Sequence, residues 1–162
     1  MFSFAFLQKP ITQKIEMKLS KRLQDIVLAL PLKEGTRVLE IGCGPGAMAR
    51  EISRHIVKGH ILAIDRSAKA IQQAVTGSQS EISRGNLSYR HVAIEKFELK
   101  PEEQLFDLAV AVRVGSLDGR HPEIESQSLR NIAKALKKDG KLYLDGGNPL
   151  KEIKLTKYRK NG

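Results

Sequence analysis

Short apolar runs alternate along this chain with longer stretches whose apolar residues return every three or four positions. Val38-Leu-Glu-Ile41, His60 to Asp65, Phe106 to Val112 and Lys141 to Asp145 are of the first kind. Their near-continuous, β-branched character predicts strands covered on both faces. A weaker strand is expected over residues 86–93, where Tyr89, Arg90 and His91 interrupt the run. Charge of that kind suits the edge of a sheet, where it blocks unwanted pairing.

The longer stretches predict helices. Ile15, Leu19, Leu23, Ile26, Val27 and Leu30 form one apolar face over residues 11–30, which Pro31 ends. A helix is expected from Ala47, another over residues 67–83 with Gly77-Ser78 as a break, and a third over residues 123–138. Asp139-Gly140 reads as the cap of the last one, with Lys134, Lys137 and Lys138 complementing the negative end of its dipole. Strands alternating with helices predict an α/β fold on a mostly parallel sheet.

Between the first strand and its helix lies Glu40-Ile-Gly-Cys-Gly-Pro-Gly46, with Gly42, Gly44 and Gly46 at every second position. Glycines let the backbone turn tightly and let a ligand approach where a Cβ would collide. Strand, glycine turn and helix form the opening unit of a nucleotide-binding fold. Asp65 closes the next strand about twenty residues later, the place from which a carboxylate accepts hydrogen bonds from ribose hydroxyls. The alternative for Asp65 is a helix cap. Cys43 lies where the turn needs a small side chain, so packing is expected of it rather than reactivity.

This segment resembles the first motif of the class I S-adenosylmethionine-dependent methyltransferases: Glu40 stands two places before the first glycine, and Pro45 lies within the turn. The Phe106-Asp107 opening of the later strand, and the helix, Asp-Gly turn and strand near residue 140, are also similar to that family. The resemblance covers residues 35–146. It implies a Rossmann-like three-layer α/β/α sandwich, the sheet mostly parallel in the order 3-2-1-4-5 with the family's last strands reduced or absent. It also implies S-adenosyl-L-methionine as cofactor and in-line methyl transfer as reaction. In this reading Glu40 places negative charge beside the cofactor's ammonium and sulfonium groups. The glycine turn and the helix start hold its carboxylate. Many relatives carry an Asp after the third strand to reach the adenine amine; here Ala93 and Ile94 stand in its place, leaving a backbone contact at Ile94, or Glu95 as substitute. The expected cofactor set is Glu40, Gly42, Cys43, Gly44, Gly46, Asp65, Arg66, Ile94, Glu95 and Arg113, with no metal.

Arg113 opens a polar loop that also carries Asp118, Arg120 and His121, at a strand's carboxyl end where open parallel sheets bind ligands. His121 is the candidate base. The loop lacks the Asn/Asp-Pro-Pro-aromatic signature of enzymes that methylate amino groups of nucleic acid or protein.

Composition adds less. With 162 residues and one cysteine the chain suits a single domain without disulfides, in a reducing, cytoplasmic setting. Its expected parts are a helical cap over residues 1–31, a cofactor-binding core over 35–146 and a basic tail over 150–162. No apolar run reaches the length of a membrane span, and the apolar residues 1–7 lack the flanks of a signal peptide. The net charge of +10 gathers at the two ends, which suits either a solvated surface or an anionic methyl acceptor, nucleic acid included. The partners expected are thus a small-molecule or anionic acceptor, with the chain a monomer or homodimer. Two rival functions are a non-catalytic cofactor-binding module and an NAD(P)-dependent oxidoreductase with Arg66 near a 2′-phosphate. Residues 152–158 are expected to form one more strand, with Ile153 and Leu155 on one face, covering the edge left by residues 141–145.

Overall fold

A computed structural model describes residues 18–159. Six strands form one sheet: β1 (Arg37–Ile41), β2 (His60–Asp65), β3 (Leu87–His91), β4 (Phe106–Ala111), β5 (Leu136–Asp145) and β6 (Leu150–Ile153). Their order is β3-β2-β1-β4-β5-β6; the first five run parallel and β6 runs antiparallel to β5. The expected order holds, β3 lies at an edge as its charges suggested, and the tail covers β5.

The near-continuous apolar runs follow from covering both faces. Side chains alternate across a strand, so Leu39, Ile41, Leu62, Ile64, Ala109 and Leu142 join one core with Leu129 and Ile132 of α5 (Pro122–Ala135). Val38, Ile61, Ala63, Leu108 and Val110 join the other, against α1 (Lys21–Ala29) and α2 (Ala47–His55). Of the helix expected over residues 11–30, the part after Lys18 is α1, started by the Ser20 hydroxyl; residues 11–17 lie outside the described residues, as does the rest of the cap through residue 17. The break at Gly77-Ser78 is real and separates α3 (Ala68–Gly77) from α4 (Gln79–Ser83).

Two expectations need correction. The helix over residues 123–138 stops at Ala135, and β5 begins at Leu136 rather than Lys141. Leu136 pairs with Phe106 and Lys141 with Leu108, so the intervening residues bulge out of register. Tertiary packing overrides the Asp-Gly cap here: Leu136 is buried, and a Cβ on Gly140 would lie 3.0 Å from Leu136 Cβ and 3.1 Å from the Phe106 carbonyl oxygen. In the tail, pairing ends at Ile153. Leu155 then turns into the core, and α6 (Thr156–Arg159) replaces the expected strand end. Arg159 fixes that arrangement by donating to the Lys138 carbonyl at 2.6 Å, inside the bulge.

Candidate functional site: the crevice at the carboxyl ends of the strands

Gly42, Gly44 and Gly46 all adopt positive φ, at 73°, 53° and 83°. The turn they make is bonded within itself and to β2. Gly42 and Cys43 donate to the Ile64 carbonyl at 2.8 and 3.0 Å, and Gly46 donates to that of Cys43 at 3.0 Å. Gly44 donates to Asp65 Oδ2 at 2.8 Å, while Asp65 Oδ1 accepts from the Ser67 amide at 2.8 Å. Asp65 is therefore a structural clamp on the turn and on the entry to α3, as well as a candidate ligand. Each of its oxygens keeps a lone pair after these bonds.

The turn's own N–H groups are spent inside the protein, and Pro45 has none. The free donors are those that open α2, at Ala47, Met48 and Ala49, which a helix start leaves without intrahelical partners. Gly46 caps that start with no side chain.

A second network braces the turn from behind. Arg50 donates to the Pro45 carbonyl at 3.0 Å and to Ser78 Oγ at 3.2 Å; Ser78 Oγ in turn bonds Tyr89 Oη at 2.8 Å. Burial pushes the Tyr89 hydroxyl up to about 12, so it stays protonated. Tyr89, Ser78 and Arg50 are absent from the expected set. They lie in three elements, and no spacing in the sequence joins them.

The crevice itself has a volume of about 290 Å³. Of the expected residues it gathers Gly42, Asp65, Arg66, Ile94, Glu95, Arg113 and His121 along its walls, with Ser116 and Arg120 beside them. Ile41, Ile64, Val92 and Ile124 supply apolar wall. Ile94 opens a single 3-10 turn, and its carbonyl is taken by Asn131 Nδ2 at 2.9 Å. Any backbone contact to a base there must come from N–H groups. His121 lies against Gly115, and its Nδ1 is 3.4 Å from Glu123 Oε1. Among the described residues a larger hollow of about 850 Å³ lies between α1, α2 and the α3–α4 pair, behind the turn. Ala47, at the start of α2, lines it, but none of the residues expected from the sequence do, and parallel sheets bind ligands at the strands' carboxyl ends, so the smaller crevice is the candidate site.

Glu40, Cys43, Gly44 and Gly46 do not line it. Cys43 is buried and its thiol pushed up, first by burial and then by the Glu40 and Asp65 charges; it is a packing residue. Glu40 is 2% exposed, and its Oε2 has no hydrogen-bond partner. Burial, then repulsion from Asp65, push its carboxyl up to about 8 against the opposing Arg50 charge. At neutral pH the carboxyl is mainly neutral in the free protein, so the negative charge expected beside a cofactor is largely absent until something stabilises it.

That has a consequence for stability. Between the ordinary carboxylate range and about pH 8, the native state keeps a proton that the unfolded chain has lost. Stability from this group therefore falls as pH rises across that window, by at most about 1.4 kcal/mol per pH unit. Urea unfolding of the Glu40→Gln variant should show a flatter pH dependence than the wild type. Identical profiles would mean that Glu40 ionises as freely in the native state as in the unfolded one.

Comparison with known proteins bears on the family and the fold. A family model described as "Methyltransferase domain" matches residues 32–160. The YrhH protein of Bacillus subtilis (strain 168), itself assigned as a methyltransferase, is 27% identical over 129 residues, 78% of this chain and 67% of YrhH. Among solved structures, the S-adenosylmethionine-dependent methyltransferase of Geobacter sulfurreducens, in complex with S-adenosyl-L-homocysteine, has a TM-score of 0.60 at 20% identity over 78% of this chain. The [4+2]-cyclase SpnF has a TM-score of 0.61 at 26% identity over 76% of it. The chain spans 47% and 43% of those two structures, less than half of each. Among the described residues no helix is long and apolar enough to cross a membrane.

Proposed function

Because this chain belongs to the class I S-adenosylmethionine-dependent methyltransferase family, we propose that its crevice binds S-adenosylmethionine and presents the methyl group to an acceptor placed in line. The observation that carries this reading is the convergence of Asp65, Gly42, Ile94 and Glu95 on one crevice at the strands' carboxyl ends.

The residues suit the group. The two remaining lone pairs of Asp65 match the two hydroxyls of a ribose. The apolar wall of Ile64, Val92, Ile94 and Ile124 suits the faces of a base, with N–H groups of the 3-10 turn and Glu95 at its polar edge. The unspent N–H groups and dipole of α2 suit a carboxylate. Bound there, S-adenosylmethionine supplies an electrophilic methyl whose departure leaves a neutral thioether. No acid is needed for that leaving group. The chain's task is positioning, which can supply about 7–11 kcal/mol of the barrier. His121 is the candidate base for an acceptor that must lose a proton. The acceptor class proposed is a small or anionic molecule.

The role of Asp65 is testable apart from its clamping of the turn. Wild-type protein should bind S-adenosylhomocysteine more tightly than its 2′,3′-dideoxy analogue by about 1.5–3 kcal/mol per charge-assisted bond, less where water substitutes. In Asp65→Ala that discrimination should vanish, and the ligand-free protein should also be less stable because two backbone donors lose their acceptor. Calorimetry and thermal melts read the two effects separately. A variant that loses stability yet still discriminates the analogue would make Asp65 a clamp alone.

A further inference from the structure

Arg113 opens the loop after β4 with φ at +57°, one of two non-glycine residues with positive φ among those described. For an L-residue that conformation is strained. Both of its backbone groups are held: its N–H donates to Asp145 Oδ1 at 3.1 Å, and its carbonyl accepts from Arg120 Nη2 at 2.8 Å. The two residues that hold it are themselves neutralised. Asp145 pairs with Arg22 of α1, and Arg120 pairs with Asp118. The guanidinium of Arg113 has no such partner among the described residues, although it lies on the crevice wall. The surrounding ion pairs thus fix a strained backbone and leave this exposed cation without an ion pair; Arg66, next to Asp65, is the other arginine of the crevice wall with no such partner among the described residues.

Sheet order locates that cation. Asp65 ends β2, the glycine turn follows β1, and Arg113 follows β4, on the side of the turn away from Asp65. A ligand with its ribose at Asp65 and its carboxylate at the start of α2 leaves Arg113 facing whatever approaches the methyl group. We infer that Arg113 is the anchor for an anionic group, a carboxylate or a phosphate, carried by a small methyl acceptor; this rests on the cofactor reading above. A nucleic-acid backbone is a poorer fit, because it is held by a row of cations. This end of a crevice of about 290 Å³ offers one free guanidinium. A planar, forked donor suits either oxyanion bidentately.

The test uses the full chain saturated with S-adenosylhomocysteine, in phosphate-free buffer. Benzoate and inorganic phosphate are titrated while the backbone amide resonances of Gly115 and Asp145 are followed. At least one anion should bind saturably. That binding should weaken by about tenfold or more in Arg113→Gln, recover in part in Arg113→Lys, and persist in the remote surface variant Arg84→Gln. Affinity for S-adenosylhomocysteine should change by less than about twofold in Arg113→Gln. Absence of saturable anion binding to the wild-type complex would overturn the inference. So would a tenfold loss of S-adenosylhomocysteine affinity in Arg113→Gln with anion binding intact, which would give the guanidinium to the cofactor's own carboxylate. Failure of the wild type to bind S-adenosylhomocysteine at all would be a different result, removing the cofactor reading and this inference with it.

Discussion

Gly46→Ala is expected to destabilise the protein by about 2–4 kcal/mol and to weaken cofactor binding by about tenfold or more. Gly46 has φ at +83°, and a Cβ built there would stand 2.3 Å from Tyr89 Oη, 3.0 Å from Tyr89 Cζ and 3.1 Å from Ala74 Cβ. Tyr89 cannot swing aside freely, because its hydroxyl is bonded to Ser78, which is fully buried. Moving it breaks the brace behind the turn, and the turn must shift with it. The double variant Gly46→Ala/Tyr89→Phe should recover part of both losses, since it removes the atom in closest conflict. Chemical denaturation and calorimetry on the four members of the cycle would measure the coupling. An alanine variant as stable and as tightly binding as the wild type would show that the turn is not held against Tyr89.

Deleting residues 150–162 is expected to cost at least about 3 kcal/mol and to promote association. The deletion removes the four-residue partner of β5, from Leu150 opposite Asp145 to Ile153 opposite Leu142. It also removes Leu155, which is 3% exposed within the core around α5, and the Arg159 bond to the bulge. β5 then presents unpaired backbone, a template for a second chain. Light scattering should show larger species than the full chain forms at the same concentration. Asp65 and the glycine turn lie on the other side of β4, so the folded fraction should keep its affinity for S-adenosylhomocysteine. A truncated chain that is equally stable and monomeric would mean that β6 and Leu155 contribute little.

Features set by local pattern were legible in the sequence. The glycine turn, the strands on either side of it and Asp65 are all specified within some thirty consecutive residues. Steric needs of the turn, burial on both faces and a strand's end each leave a mark at fixed spacing. The edge position of β3 was legible from its charges, and coverage of β5 from the apolar pair in the tail. Other features depend on contacts between distant segments. Asp139-Gly140 carries a sound local cap, yet Leu136 gains more by pairing with Phe106, and the helix ends three residues early. Tyr89 looked like an interruption in a strand; its hydroxyl in fact reaches Ser78 and, through it, Arg50. Glu40 was legible as an acid near the turn, but not its protonation, which follows from complete burial beside Asp65. The free guanidinium of Arg113 became apparent only once Arg22 and Arg120 were seen paired elsewhere.

The central claim is that the crevice at the ends of β1, β2 and β4 binds S-adenosylmethionine. Isothermal titration of the full chain with S-adenosylhomocysteine, and separately with NADP, tests it most directly. One saturable site for S-adenosylhomocysteine, weakened in Asp65→Ala, and no measurable heat with NADP are the expected result. Saturable NADP binding with no response to S-adenosylhomocysteine would contradict it.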